Sequence, residues 1–505
     1  MLRRLACALA PLFLIVPLTM NAQTLAYTAP VQPGNQNVGG TTALGVDFNV
    51  TASVFVTSVC AFDAAGNGFT NPVTVAIYNR TTGVVIPGTS ATFTSATPGT
   101  LTNGYRCQTL ATAVMLQPGQ YTVVATGYNT PDLNGNSSCV GNAAPSCLPS
   151  NAFTAPTFNG GTSLTAAGYR FGLTANPTTM TPDAAGTTYL AGSFAYQAAV
   201  APTLVKSFSS VAIPLGGGVH ATITVNNPNP GPLTVTITDV LPTGLAPAPL
   251  NLTGTCGIVN PFTVPAGGSC SLSFDLLGSA EGSILNSATA IATGIPGVVT
   301  ATARIAVGAT FGINYAANLN LGDAYINMTN TGVNGAPLLG PGFGGAAGNI
   351  CVNLYSFSPD EQLVSCCSCL VTPNALNFVS VNTDLTSKTL TGVVPTSLVV
   401  KLVVTGTGAD QAGAPTFTGS SCTNSAAMAG AGFPLAPGLG AWGTSVHNGP
   451  AGVPLGITEK PVRLQTLSAS ELASITGRCA AILGNGSGFG VCRSCRAGAL
   501  GAIPR

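Results

Sequence analysis

Apolar and polar residues alternate with a period of two along most of this chain, in short runs broken by glycine, proline and asparagine. That period puts successive side chains on opposite faces of an extended segment, so each run predicts a strand with one apolar face. In Val73-Thr74-Val75-Ala76-Ile77-Tyr78, Val73, Val75 and Ile77 take one side, and Thr74, Ala76 and Tyr78 the other. Gln117-Pro118-Gly119-Gln120 predicts a turn into a strand at 121–125, and later strands are expected at 169–173 and 189–196. The most regular stretch sets Val219, Ala221, Ile223 and Val225 against His220, Thr222 and Thr224. After 226–232 it resumes with Leu233, Val235 and Ile237 against Thr234, Thr236 and Thr238. Together these predict a pair of half-buried antiparallel strands.

One segment switches to a helical period. Ser468-Ala469-Ser470-Glu471 is a capping box, in which the Ser468 hydroxyl accepts from the Glu471 amide while the carboxylate reaches back. Leu472, Ile475, Cys479 and Ile482 then form one apolar stripe and Gly484 is the expected stop, although Gly477 weakens the interior. Cys479 is therefore expected to face the core and to staple the helix to the strands.

Three regions follow from the strand patterns and carry family resemblances. In the first, 23–198, Gly45-Val46-Asp47-Phe48-Asn49-Val50, Phe62-Asp63-Ala64-Ala65-Gly66-Asn67-Gly68 and Leu116-Gln117-Pro118-Gly119-Gln120-Tyr121 resemble a β-sandwich module of exported bacterial surface proteins. The resemblance implies a jelly-roll-like fold with no assigned ligand. In the second, 199–308, four segments resemble immunoglobulin-like repeat modules of bacterial surface proteins: Pro202-Thr203-Leu204-Val205-Lys206-Ser207-Phe208, Val225-Asn226-Asn227-Pro228-Asn229, Asp239-Val240-Leu241-Pro242-Thr243-Gly244-Leu245 and Pro265-Ala266-Gly267-Gly268-Ser269-Cys270. That likeness implies a spacer or stalk with no catalytic residues. The third, 309–505, resembles an uncharacterised cysteine-rich family of secreted bacterial proteins, through Gly322-Asp323-Ala324-Tyr325-Ile326-Asn327, Asn349-Ile350-Cys351-Val352-Asn353 and Cys492-Arg493-Ser494-Cys495-Arg496. The fold class expected is mainly β: tandem antiparallel β-sandwiches, jelly-roll-like and then immunoglobulin-like, plus a disulfide-rich, mostly β C-terminal domain with one helix.

Composition narrows the function classes. Charged residues are 6% of the chain and the net charge is +1, without the clustered basic charge that nucleic acid requires. Residues 1–22 read as a signal peptide, with Arg3-Arg4 ahead of an apolar run interrupted by Pro11 and Pro17. Beyond it no apolar stretch is long enough to span a membrane, and no hydrophobic tail is seen at 498–505, so a secreted or cell-surface product is expected. Its expected partners are cell-surface proteins or polysaccharide.

After Cys7 in the leader, the cysteines fall as four, two and eight in the three regions. Even numbers in an exported chain point to disulfides. The candidates are Cys60, Cys107, Cys139 and Cys147, then Cys256 and Cys270, then Cys351, Cys366, Cys367, Cys369, Cys422, Cys479, Cys492 and Cys495. Cys139 with Cys147 is the expected pair in the first region and Cys256 with Cys270 in the second. Eight cysteines allow 105 pairings, so no map is drawn for the third. Two C-x-x-C sets, Cys366 with Cys369 and Cys492 with Cys495, have zinc-ligand spacing, but export favours bridges over metal.

Catalytic patterns are sparse, and neither cofactor nor metal is expected. Asp63 with Asn67 misses calcium-loop spacing. Gly340, Gly342 and Gly345 match a dinucleotide fingerprint by letter without the strand and helix it needs. His447, Ser445 and Trp442 lie close in sequence but lack a nucleophile elbow, and His220 falls on the polar face of its strand. Asp360, Glu361, Glu459 and Glu471 are the carboxylates available for glycoside hydrolysis in the third region. The leading expectation is a non-catalytic structural, adhesive or matrix-binding protein; the alternative is an extracellular carbohydrate-active or other hydrolytic enzyme. Bridges are expected within regions and never between them. Mass mapping of non-reduced peptides checks this, and a bridge from Cys256 or Cys270 to another region would overturn the layout.

Overall fold

The computed structural model describes residues 23–140, 146–148, 153–249, 251–257, 259–338, 347–428, 432–450, 452–453, 455–493 and 495–497. The leader 1–22, the tail 498–505 and Gly340, Gly342 and Gly345 lie outside the described residues. About 50% of the chain is strand and 7% is helical, which places it in the mainly β, disulfide-rich class.

The first sandwich packs two sheets. Six strands run in the order Thr181–Pro182, Leu164–Gly172, Ala43–Val50, Gly119–Thr126, Val73–Asn79, Val85–Phe93. Opposite lie Thr24–Leu25, Gly192–Ala198, Val54–Phe62, Tyr105–Leu116 and Thr100–Thr102. Val73, Val75 and Ile77 enter the core between the sheets with Phe48, Phe62 and Phe194. Burying such side chains contributes roughly 1.5–3 kcal/mol each, which orients every strand.

The middle sandwich corrects one expectation. Strands Gly218–Asn226 and Leu233–Val240 do not pair with each other. The former lies between Thr203–Phe208 and Ser269–Gly278, the latter between Phe262–Val264 and Gly282–Ala292 in the opposite sheet. Both runs bury one apolar face, and those faces meet across the sandwich instead of lying side by side. The linking segment holds Pro228, Pro230 and Pro232, and the Asn227 amide donates to the carbonyls of Gly231, Val264 and Pro265. That segment is a crossover fixed by side-chain hydrogen bonds, not a hairpin turn.

In the C-terminal region one sheet orders Leu363–Val371, Ile350–Phe357, Leu398–Gly406, Phe311–Ala316 and Arg463–Leu464. The second orders Leu455–Pro461, Leu439–Asn448, Tyr325–Asn330, Leu376–Ser380 and Arg496–Ala497. The one α-helix among the described residues, Ala469–Gly484, packs Ile475, Cys479 and Ile482 against Phe311, Tyr355 and Val403. Ser468 caps it by accepting from the Glu471 amide at 3.1 Å, while the Glu471 carboxylate turns to Lys401.

Neighbouring regions also touch. Phe55 of the first region packs with Ile223 and Leu233 of the second, and Ala212 and Ala306 of the second pack with Phe311 and Leu467 of the third. The bridges stay within regions: Cys60–Cys107, Cys139–Cys147, Cys256–Cys270, Cys351–Cys422, Cys366–Cys479, Cys367–Cys492 and Cys369–Cys495. The last three leave one strand, Leu363–Val371, for the helix and the segment after it, closing separations of 113, 125 and 126 residues. Any one of them closes the long loop, so the other two only close short loops within it. Replacing both cysteines of one such bridge by alanine should cost about 3 kcal/mol or less. Replacing all six cysteines should cost more than the three single losses summed. Denaturant unfolding measures both, and a single removal as costly as the triple would contradict this nested arrangement.

Candidate functional site

The C-terminal sheet centred on Tyr325–Asn330 has one face in the core and one outside. Ile326, Met328 and Val379 are fully buried between the sheets, so Tyr325, Asn327 and Thr329 take the outer face. In register, Asn327 stands opposite Trp442 on one side and Phe378 on the other, with Pro461 beyond Trp442. At the usual strand spacing Trp442 and Phe378 lie roughly 10 Å apart. Tyr325 meets Phe378 edge-on at 6.0 Å, and the Asn327 amide donates to Glu459 Oε1 at 2.8 Å. Trp442, the sole tryptophan, is 40% exposed. Trp442 therefore offers a ring on which the C–H face of a sugar can stack, whereas Phe378 and Asn327, at 4% and 3% exposure, are buried.

Sequence reasoning singled out Trp442 but tied it to His447 and missed Tyr325 and Phe378. Trp442 and His447 are five positions apart on one strand and so point to opposite faces. His447 Nε2 meets Thr458 Oγ1 at 2.9 Å and its Nδ1 the Asn448 carbonyl at 3.2 Å, so neither a serine nor an acid engages the ring. His220 Nδ1 lies 2.7 Å from Asp275 Oδ1, the orienting half of a hydrolase triad. Among the described residues no nucleophile meets the ring: the Ser209 hydroxyl bonded to His220 accepts from its backbone N–H.

The carboxylates weighed for hydrolysis are partly gathered. Glu361 and Glu471 line one cavity of about 380 Å³ with Lys401 and Arg478. Glu471 is held by Lys401, and Arg478 Nη1 donates to the Glu361 carbonyl at 2.8 Å. Asp360 bonds to Ser358, and Glu459 belongs to the other sheet. Asp63, the calcium-loop candidate, accepts from the Gly68 amide and from Arg106 Nε at 2.6 Å. Among the described residues no group of three or more His, Cys, Asp or Glu forms a metal cluster.

A second cavity, about 480 Å³, opens in the first sandwich beside Cys139–Cys147, lined among others by Gln36, Asn136, Phe171, Asp183 and Tyr189. The Tyr189 hydroxyl donates to Asp183, and burial first, then that partner, push its pKa far above the ordinary value. Tyr169, edge-on to Tyr189 at 5.5 Å, is pushed up to about 12 by burial.

No protein-family model matches the chain, and no curated protein matches it. Among solved structures, the secreted serine protease VesC of Vibrio cholerae aligns at 9% identity over 72% of this chain and 94% of its own, with a TM-score of 0.19. A DUF4785 family protein of Legionella pneumophila aligns at 8% identity over 89% and 93%, also at 0.19. At these TM-scores neither likeness bears on what this chain does.

The tyrosines make the fold sensitive to alkali. Burial raises Tyr27, Tyr105, Tyr128, Tyr169 and Tyr189 above 10.0, so the folded chain keeps phenol protons that the unfolded chain releases. Their contribution is complete below pH 10 and is lost as pH rises through the folded values, by about 1.4 kcal/mol per tyrosine near pH 11. The denaturant midpoint should hold between about pH 8 and 9 and fall by about pH 11. An unchanged midpoint at the higher pH would contradict the burial of these phenols.

Proposed function

We propose that this chain is a secreted, non-catalytic modular protein of structural, adhesive or matrix-binding role, and that its C-terminal sandwich binds polysaccharide through the outer face carrying Trp442. The observation that carries this reading is the disposition of the carboxylates. Glu281 and Glu361 aside, every aspartate and glutamate side chain takes a hydrogen bond or an ion pair from another protein group. Hydrolysis of glycosides needs two carboxylates free to exchange protons or attack. All cysteines after the leader are bridged, so no thiolate nucleophile is available either.

The leader, the bridges and the resemblance of the middle region to immunoglobulin-like repeats support an extracytoplasmic spacer that presents the terminal sandwich. Among the described residues no helix is long and apolar enough to cross a membrane. The exposed Trp442 ring supports binding over chemistry, because it offers contact area without an acid and base converging on one bond.

The cavity shared by Glu361 and Glu471 favours a second reading, a glycosidase. Retention on insoluble bacterial polysaccharides separates the two. Trp442→Ala should weaken retention by about tenfold, the loss expected for a stacked aromatic, while Glu471→Gln leaves it unchanged. Absence of retention on every polysaccharide would sink the binding reading, and reducing-sugar release abolished by Glu471→Gln would replace it with the enzyme.

A further inference from the structure

Strand Phe311–Ala316 pairs along its whole length with Leu398–Gly406, but on its other side Arg463–Leu464 covers only Gly312 and Ile313. From Asn314 onward that side is open, and a cavity of about 370 Å³ forms there. Ile313, Asn314, Tyr315, Lys460, Pro461, Arg463 and Gln465 line it.

Asn314 is 3% exposed, and its Nδ2 has no hydrogen-bond partner among the protein groups. A buried, unsatisfied donor costs about 1–3 kcal/mol, so one that opens onto a cavity marks a place for an acceptor. The amide is held by close approach to the facing sheet: a Cβ on Gly443 would lie 2.0 Å from Asn314 Oδ1. Lys460 stands opposite Gly443 in register, so its side chain leaves its strand on the face that looks toward Asn314. Among the described residues neither Lys460 nor Arg463, both exposed, forms an ion pair. The neighbouring carboxylate, Glu459, points the other way, to Asn327. The cleft therefore gathers a buried amide donor, an ammonium, a guanidinium and the half-exposed Tyr315, and none of its lining side chains is acidic.

We propose that this cleft is an oxyanion-binding site, and that its occupant is a carboxylate or sulfate group of an acidic polysaccharide. Guanidinium, ammonium and amide donors lining one cleft suit the planar or tetrahedral oxygens of these groups, and charge assistance makes such bonds the stronger kind. A polysaccharide is favoured over an acidic peptide because Pro461 joins the cleft to the exposed Trp442: it lines the cavity and stands opposite that ring. One chain can then place an anionic group in the cleft and a neighbouring ring on the outer face. This assignment rests on the polysaccharide-binding reading above and names its ligand class.

The test uses the full mature chain on immobilised polygalacturonate, dextran sulfate, neutral dextran and polyglutamate, with and without added salt. The expected result is preference for one or both acidic glycans over dextran, weakened by salt. Arg463→Gln or Lys460→Gln should cut that binding by about tenfold, and Asn314→Asp, which exchanges the donor for a like charge, by more. The polygalacturonate and dextran sulfate arms identify the carboxylate or the sulfate. Arg463 and Lys460 lie at exposed positions, so those two variants decide the matter should Asn314→Asp fail to fold. Binding equal to that of neutral dextran, or unmoved by the Arg463 and Lys460 variants, would overturn the site. If Trp442→Ala still weakens retention about tenfold in that event, polysaccharide binding itself survives. Equal or tighter binding of polyglutamate would overturn the polysaccharide assignment.

Discussion

Buried and half-buried ion pairs are the interaction on which this fold turns. In the first sandwich Asp47 takes Arg170 at 2.6 Å and Arg80 at 3.4 Å, with every side chain largely out of solvent. In the middle one the Lys206 side chain is fully buried, reaches Asp239 in the opposite sheet and lies 5.6 Å from the Phe274 ring. In the third, Lys401 holds Glu471 and so fixes the first turn of the helix to its sheet. Taking such charges from water costs several kcal/mol, and removing one partner leaves the other uncompensated at about 3–5 kcal/mol. These links connect strand to strand, sheet to sheet and helix to sheet, so they specify which surfaces meet.

The disulfides do a different job. They do not choose the packing; they raise the cost of leaving it by constraining the unfolded chain. Three of the seven converge on the strand Leu363–Val371, which ties residues 479–495 to a strand over a hundred positions earlier. The helix, the edge strand before it and the sheet bearing Trp442 thereby hold one arrangement, and both candidate binding surfaces lie on that arrangement.

What was legible in the sequence was whatever depends on near neighbours. The faces of Val73–Asn79 and Gly218–Asn226, the Ser468 cap and the apolar stripe of the helix follow from spacing alone. Partners across the sheets do not. The runs at 219–225 and 233–237 read as neighbours because they are consecutive, yet their apolar faces are satisfied across the sandwich. Glu471 was expected to complete its own cap, but a lysine inside a strand seventy positions away claims it. Trp442 stood out by rarity, whereas its place on an outer face opposite Asn327 follows only from register. The cleft was invisible for the same reason: Asn314 and Gly443 are ordinary residues until two sheets bring them together.

Carboxylates committed to hydrogen bonds, thiols committed to bridges, an open Asn314 donor and the exposed Trp442 ring describe a surface made to hold a ligand rather than change it. The most direct measurement is the fate of a soluble acidic oligosaccharide incubated for long periods with the folded protein and then weighed by mass spectrometry. The ligand is expected to be retained by the protein and recovered with its mass unchanged. Shortened or chemically altered products, lost when Glu471 is replaced by glutamine, would contradict it.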